Sequence, residues 1–324
     1  MNMKKIVAVM LALLMVAAFS ACDTSTGDTD DKYVVGICQL TQHPALDAAT
    51  KGFKDALVEE FGDKVVFEEK NANGDQNVCP TIIANLVSQK VDLIMANATP
   101  ALTAAVNGTS EIPILGTSIT EYGTALAIEN FNGVVGGNVS GTSDLAPLDE
   151  QAQMIIDLFP EAKNVGLVYC SAEANSAYQV KVVKAYLQSK NIICTEYPFT
   201  DSNDVSVVAK NAADNSDVLY IPTDNTAADC AETINNVIGD VPAIVGEEGI
   251  CAGCGVATLS ISYYDLGVKT GKMAAKVLKG EADISTMKIE YVDTVAKKYN
   301  KAKCDQLGID TAALEALGFV AIGE

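Results

Sequence analysis

The segments YVVGICQL at residues 33–40 and VGLVYC at 165–170 decide the fold, because each opens the same alternation of strand-like and helix-like patterns. Further strand-like runs fall at 65–69, 91–97, 112–115, 192–198, 217–222 and 241–245, and helical periodicity falls at 44–60, 78–88, 100–107, 176–189, 204–215 and 229–238. This alternation predicts an α/β protein with parallel sheets and helices on both faces. Landmarks recur after 125 to 130 residues, so we predict two similar lobes of ordinary domain size.

A helical pattern at 263–279 follows both lobes and places Leu266, Met273 and Val277 on one face. Its spacing alone allows docking on either lobe. Ligands of open parallel sheets bind beyond the carboxyl ends of the strands, so the residues after each strand are the candidate site.

The chain begins with the features of an export signal. Lys4 and Lys5 precede an uncharged apolar run at 6–18, and Phe19-Ser20-Ala21-Cys22 ends in small residues before a cysteine. The run is shorter than the about 20 residues that a membrane-spanning helix needs. We predict a bacterial lipoprotein signal peptide at 1–21, lipidation of Cys22 and a polar tether to residue 32, although Phe19 replaces the usual aliphatic residue. The protein is then anchored by lipid at the extracytoplasmic face of the bacterial cell membrane.

Charge and composition exclude several classes of function. The chain has 42 acidic and 22 basic residues, no arginine, no tryptophan and a single histidine, His43. Nucleic acid is therefore not an expected partner. A histidine-rich metal site is excluded, and so is a Ser-His-Asp or Cys-His catalytic site unless His43 serves it, so we expect no metal, no cofactor and no catalytic residue.

Eight cysteines remain when Cys22 is assigned to lipid, and an even number permits disulfides without requiring them. Cys38 and Cys170 lie in apolar strand-like runs and are interpreted as buried. Cys251 and Cys254 form a C-x-x-C pattern without the second pair of a zinc site, which leaves a local disulfide, a redox or metal role and two free thiols open.

Hydroxyl groups follow two strands of the first lobe. Thr99 stands at the predicted N-cap of a helix with Pro100 as its first residue, an arrangement that suits an anion in the absence of arginine. Thr117 and Ser118 follow the run at 112–115. Each of these hydroxyls could instead serve only its own cap or turn.

Carboxylates and amides follow the strands of the second lobe. Asp224 and Asn225 follow one strand, Glu247 and Glu248 follow the next, and Asn175 lies just after the lobe's first strand. One carboxylate could pair with a ligand ammonium while hydroxyls of the first lobe hold its carboxylate, a division that suits an α-amino acid. The alternative is helix capping by Asp224 or Asn225 and a solvated glutamate.

Several segments together resemble the tryptophan/tyrosine-type substrate-binding lipoproteins of ABC importers. They are HPALDAATKGFKDAL (43–57), NANGDQ (71–76), ATPA (98–101), EANSAYQV (173–180), PTDNT (222–226), EEG (247–249) and SISYYDLGVKTGKMAAKVLKGEA (260–282). The resemblance implies the type I periplasmic-binding fold, with two Rossmann-like lobes joined by crossover hinge segments, and delivery of an aromatic amino acid to a membrane permease and its ATPase. It also implies that Thr99, Thr117 and Ser118 meet the ligand carboxylate and that Asn175, Asp224, Asn225 and Glu248 face them. Gln42 and the segment 117–126 depart from the usual pattern.

On this resemblance the helix at 263–279 returns to the first lobe and the chain end returns to the second. The predicted lobes are 33–142 with 258–285, and 143–257 with 286–324. Two other functions stay open: the same fold binding a sugar or nucleoside, and an exported hydrolase. The chain lacks Trp and Arg for ring stacking and planar donors, and it lacks the G-x-S-x-G and H-E-x-x-H motifs of hydrolases.

Overall fold

Two sheets form the framework of the protein in a computed structural model that describes residues 32–292 and 294–323. The first half of the chain alternates strands and helices in the order β1 (Tyr33–Gln39), α1 (Pro44–Phe61), β2 (Val65–Asn71), α2 (Cys79–Gln89), β3 (Leu93–Asn97), α3 (Thr99–Gly108), β4 (Ile114–Ile119), α4 (Tyr122–Ala125) and β5 (Val139–Ser143). Short 3₁₀ turns precede β2 and α2.

The second half repeats this alternation and then adds a tail. Its elements are α5 (Leu148–Leu158), β6 (Asn164–Cys170), α6 (Ala174–Ser189), β7 (Ile193–Phe199), α7 (Val205–Asp214), β8 (Val218–Ile221), α8 (Asn225–Asp229), α9 (Ala231–Ile238), β9 (Ala243–Val245), α10 (Glu248–Gly253), β10 (Ala257–Ile261), α11 (Tyr263–Leu278), β11 (Glu290–Tyr291), β12 (Val295–Tyr299), α12 (Lys301–Leu307), α13 (Thr311–Ala316) and β13 (Val320–Ala321).

The two sheets share one topology. The first has the order β11-β5-β4-β3-β1-β2 and the second β13-β12-β10-β9-β8-β6-β7. Both contain the doubly wound order 2-1-3-4-5 of their first five strands, with parallel pairing throughout that core. The predicted α/β class and the repeated lobes are confirmed. One pair departs from the parallel pattern, because β12 runs antiparallel to β10.

The strands are apolar on both sides because helices cover both faces of each sheet. In β3 all five residues are buried, and in β8 all four are. Separate apolar clusters lie on either side of each sheet, for example around Leu86 and Phe53 in the first lobe.

Within the described residues, the chain crosses between the sheets three times. It leaves the first sheet after Ser143, leaves the second after Ile261, and returns to the second sheet between Tyr291 and Val295. The lobe bounds drawn from the sequence stay a prediction. Strand pairing would move two of them by a few residues, since β10 belongs to the second sheet and β11 to the first.

Helix α11 packs directly on α1 of the first lobe through glycines. A Cβ on Gly267 would lie 2.0 Å from the backbone oxygen of Ala49, and one on Gly52 would lie 2.1 Å from that of Tyr264. Only glycine permits this approach of two helix backbones. The contact places the N-terminus of α11, and with it Tyr263, between the lobes.

Candidate ligand-binding cleft

A narrow cavity lies where the carboxyl ends of strands from both sheets face each other. The empty space that it encloses, including the part open to solvent, is about 290 Å³. Its lining residues come from both lobes and from two crossovers: His43, Leu46, Ser118, Thr120, Asp144, Asn175, Thr223, Asp224, Asn225, Ala228, Glu247 and Tyr263.

Direct hydrogen bonds join the two lobes beside this cavity. Thr41 Oγ1 donates to Asp229 Oδ2 at 2.7 Å, and His43 Nε2 lies 3.4 Å from Asn225 Oδ1. The lobes are therefore closed on each other. Because the Asn225 amide nitrogen donates to Glu173, its oxygen faces His43, and the histidine donates from Nε2.

Four residues that line the cavity each have a buried polar atom without a hydrogen-bond partner in the described part of the protein. The atoms are His43 Nδ1, Ser118 Oγ, Asp144 Oδ1 and Asn175 Oδ1. Buried polar groups are nearly always paired, so a cluster of unpaired ones around one cavity indicates groups that await a ligand. Three of the four are acceptors when His43 is neutral and protonated at Nε2.

The backbone at Ser118 supports the same interpretation. Ser118 has φ +56°, in the left-handed region that non-glycine residues rarely adopt. Strained backbone of this kind concentrates at binding sites, where it points a side chain that a relaxed strand would turn away.

Two of the cavity's carboxylates already serve as helix caps. Asp224 accepts from the Ala227 and Cys170 amides at 2.8 and 2.6 Å, and Glu247 accepts from the Gly249 and Ile250 amides. Burial raises the pKa of both carboxyls, and the charge of Glu173 raises that of Asp224 further.

Glu173 organises the second-lobe side of the cavity. Its carboxylate accepts from the backbone and side chains of Asn225 and Thr226 and from the Asn175 amide. Asn175 Nδ2 also reaches Ser176 Oγ and the Thr223 carbonyl. The amide nitrogen of Asn175 is thus fixed by three acceptors, and its Oδ1 has no partner.

Asp144 has one oxygen in use and one free. Oδ2 accepts from the Tyr263 hydroxyl at 2.9 Å, whereas Oδ1 has no partner. The residue is only 4% exposed, and burial raises the pKa of its carboxyl, while the nearby hydroxyls of Tyr263 and Thr120 lower it in part. Asp144 lies in the first crossover and Tyr263 follows the second, so this bond joins two hinge segments.

The structure brings five of the eight predicted site residues to the cavity: Ser118, Asn175, Asp224, Asn225 and Glu247. Thr117, Thr99 and Glu248 do not line it. Thr117 is fully buried, and its hydroxyl bonds Thr142 and Thr270 in a cluster behind the cavity.

Thr99 lies in a separate groove between α2 and α3 at the mouth of the cleft. The predicted N-cap is displaced by one residue, because helix α3 begins at Thr99 itself and Ala98 stands at the N-cap with φ +90°. Glu248 begins α10 and is not part of the cavity lining, and the capping role falls to Glu247.

Sequence reasoning did not select Asp144, Thr120 or Tyr263. Asp144 and Thr120 directly follow β5 and β4, so the rule of strand ends could have found them. The sequence pattern does not predict strand β5, because its sequence VSGTS has few apolar residues. His43, the single histidine of the chain, also lines the cavity.

The eight cysteines in the described part of the chain are free thiols. Cys38 and Cys170 are buried, as interpreted from their strands. Cys251 and Cys254 are fully buried, and burial raises the pKa of both thiols. Of the alternatives for this pair, the structure has the free thiols.

Among residues 32–292 and 294–323, no group of three or more His, Cys, Asp or Glu side chains is arranged to hold a metal ion.

Within the same ranges, no helix has the length and apolar character needed to cross a membrane. The predicted signal peptide and Cys22 lie outside the described residues.

Comparison with known proteins identifies the family. The model of the ABC transporter substrate binding proteins matches residues 34–316, and the chain belongs to this family. The tyrosine-binding protein of Clostridioides difficile strain R20291 is 34% identical over 295 residues, which are 86% of this chain and 85% of the relative.

Two solved structures, one with a ligand and one without, can be compared with this chain in the arrangement of their lobes. An ABC domain in complex with L-Trp from Streptococcus pneumoniae has a TM-score of 0.84 at 30% identity, over 90% of this chain and 100% of the other. The ligand-free, open form of a substrate-binding protein with adhesive properties from Clostridium difficile has a TM-score of 0.68 at 33% identity, over 89% and 99%. The better match to the ligand complex agrees with the hydrogen bonds that hold the lobes closed here.

Proposed function

We propose that this protein is the extracytoplasmic receptor of an ABC importer for an aromatic amino acid. The ligand binds in the cavity between the lobes and is delivered to a membrane permease that its ATPase partner drives. A lipid on Cys22 anchors the protein to the cell membrane.

The observation that carries this proposal is the set of four unpartnered polar atoms around one acid-lined cavity. Asp144, Asp224 and Glu247 line it, and in the described part of the chain no lysine does. Such a lining favours a ligand with a cationic group over a neutral sugar. Three acceptors facing the cavity match the three N–H groups of an ammonium.

The remaining lining suits the other parts of an amino acid. The Ser118 hydroxyl is a donor for the ligand carboxylate, as expected in a chain without arginine. Leu46, Ala228 and the Tyr263 ring supply apolar surface for a side chain. The names of the relatives, a tyrosine-binding protein and an L-Trp complex, support an aromatic one.

A thermal-shift screen tests the ligand class. The chain from residue 23 onward is melted with each of the twenty amino acids, with sugars and with nucleosides. A ligand at about 100 times its dissociation constant adds about 2.7 kcal/mol to stability. At about 2–4 °C per kcal/mol for a chain of this size, the midpoint rises by roughly 5–11 °C. Stabilisation by tyrosine, tryptophan or phenylalanine supports the proposal, and stabilisation by sugars or nucleosides alone refutes the ligand class.

Labelling tests the anchor separately. Cells expressing the full chain incorporate a palmitate analogue into the wild-type protein and not into Cys22→Ser, and only the wild type sediments with membranes. An unlabelled wild-type protein would contradict the anchor and leave the ligand proposal standing.

A further inference from the structure

We propose that Thr41 and Asp229 are positioning residues that hold the two lobes closed and thereby set the ligand affinity without touching the ligand. Neither residue lines the cavity between the lobes. The inference rests on the proposed function, because its main readout is the binding of an amino acid, and it places a determinant of affinity outside the binding site.

The contact between these two residues joins the lobes directly. The Thr41 hydroxyl, shortly after β1 of the first lobe, donates at 2.7 Å to Asp229 Oδ2, at the end of α8 of the second lobe. Thr41 is only 5% exposed, and a buried hydroxyl needs a partner. Within residues 32–292 and 294–323, the Asp229 carboxylate makes no other hydrogen bond, so it contributes no such bond to its own lobe.

Both partners of this bond are held in place by their own lobes. The Gly74 amide donates to the Leu40 carbonyl at 2.9 Å, which fixes the backbone just before Thr41. In the second lobe, Glu173 accepts from the first two amides of α8, and Asp224 accepts from a third. A bond between groups that are already ordered loses little conformational entropy, so most of its energy stabilises closure.

The position of the contact in the two sheets makes it sensitive to opening. Strand β1 lies three strands from β5, after which the first crossover leaves, and β8 lies two strands from β10, after which the second leaves. At about 4.8 Å per strand, Thr41 is about 14 Å from the hinge side of its sheet. A hinge rotation of about 10° would separate atoms at that distance by about 2.5 Å, which breaks a hydrogen bond. The bond therefore belongs to the closed form alone.

Closure and affinity are linked through the population of the closed form. A ligand that is held by both lobes binds the closed form, so its apparent dissociation constant is the intrinsic value divided by the closed fraction. Both groups are hydrated in the open form, so the bond contributes the net value of an ordinary hydrogen bond. We expect its loss to weaken binding by about 3- to 10-fold, mostly through faster release. The factor should be the same for every ligand, because neither residue contacts it.

The test measures two ligands in a double-mutant cycle. The chain has no tryptophan, so the fluorescence of added L-tryptophan reports its binding and release, and titration calorimetry gives the affinity of L-tyrosine. Thr41→Val and Asp229→Ala should each raise both dissociation constants by the same factor of about 3 to 10. The double variant should lose no more than either single variant, because all three lack the same bond. Thr41→Ser keeps the hydroxyl and should bind like the wild type.

Asp214→Ala is the matched control. Asp214 is an exposed aspartate at the last residue of α7 in the second lobe, and its side chain bonds Lys210 of the same helix. Its replacement should leave both dissociation constants within about twofold of the wild type. Because Asp229 is exposed at the surface, Asp229→Ala covers the case in which Thr41→Val does not fold.

Small-angle scattering of the ligand-free protein measures closure independently of any ligand. Where the wild type is partly closed, Asp229→Ala should have the larger radius of gyration. Unchanged dissociation constants together with an unchanged radius overturn the inference. Losses that differ between the two ligands, or that add in the double variant, also overturn it, since the residues would then act on the ligand or separately.

These outcomes are distinct from failure of the proposed function. If the wild type binds both amino acids and one of the contrary outcomes appears, the proposed function stands without the inference. If the wild type binds neither amino acid, the proposed function fails and scattering decides the inference. A larger radius of ligand-free Asp229→Ala then supports it, and equal radii overturn it.

Discussion

Replacing Gly267 by alanine affects stability in two opposite ways. Helix propensity predicts that the variant is more stable, and packing predicts that it is less stable. In an open helix this change stabilises by about 1 kcal/mol, because glycine is the poorest ordinary helix former. In α11 the added Cβ would lie 2.0 Å from the backbone oxygen of Ala49 and 2.7 Å from its carbonyl carbon. These are main-chain atoms of α1, so no side chain can turn aside.

The geometry sets the size of the effect. To restore an ordinary contact of 3.4 Å, the two helices would have to separate by about 1.4 Å at this point. Gly52 and Tyr264 form a second close contact of the same pair, and the Thr270 hydroxyl bonds those of Thr117 and Thr142 in the first sheet, so α11 cannot move freely. Overpacking costs about 1–3 kcal/mol and sometimes more. Because the clash is with main-chain atoms, we take the upper end of this range, about 3 kcal/mol. After the gain in propensity of about 1 kcal/mol, we expect a net loss of about 2 kcal/mol, or roughly 4–8 °C in melting midpoint.

Calorimetry of the ligand-free protein checks this value. Gly271→Ala provides a graded comparison, because its Cβ would meet Ala56 Cβ and Phe53 O at 2.7 Å and should cost less. Lys272→Ala, an exposed change on the same helix, should shift stability by less than about 0.5 kcal/mol. A melting midpoint for Gly267→Ala at or above that of the wild type would refute the packing argument.

Three further predictions concern the second lobe. Tyr220→Phe should lower the free energy of unfolding by about 1–3 kcal/mol in urea denaturation, since the buried Gln151 oxygen loses its donor at 2.7 Å and its nitrogen is held by two carbonyls. Asp224→Ala should lower the same quantity by about 1–3 kcal/mol because two amides lose their acceptor, whereas Glu248→Ala should change it by less than about 0.5 kcal/mol. The Cys251 thiol should resist alkylation in the native protein and react fully in urea, as mass spectrometry would measure, because it is fully buried and burial raises its pKa.

Each of these has an outcome that would contradict it. Tyr291→Phe, at a tyrosine that is 48% exposed, is the control for Tyr220→Phe. Equal losses of stability in the two variants would mean that the buried hydrogen bond of Tyr220 makes no special contribution. A neutral Asp224→Ala would mean that its capping bonds contribute little. Early alkylation of Cys251 would mean that α10 opens in the native state.

Local patterns located most of the secondary structure to within two residues. The helix predicted at 44–60 is Pro44–Phe61, and the one predicted at 263–279 is Tyr263–Leu278. Apolar spacing and caps are properties of neighbouring residues, so the sequence carries them directly. The prediction at 229–238 is less accurate, because the structure has two helices there. The short helix α8, capped by Asp224, comes first, and α9 follows it.

The candidate site was only partly accessible to the same reasoning. The position after a strand predicts Ser118 and Asn175 as site residues. Residue type alone, however, does not distinguish a carboxylate that caps a helix from one that has an unpaired oxygen. Asp224 and Glu247 have the first role, and Asp144 has the second. That difference depends on which amides lie within 3 Å after folding, and those amides include one from a distant strand, at Cys170.

The sequence by itself determined the α/β class, the two repeated lobes and the edge at which a ligand would bind, because periodicity and strand order follow from short-range patterns. Tertiary structure decided which side chains share the cavity and which of their atoms remain unpaired. Asp144, Tyr263 and Asn175 are far apart in the chain, and they meet because crossovers carry the backbone between the sheets and because Gly267 lets α11 approach α1. Such contacts depend on the packing of whole helices, which no local pattern records.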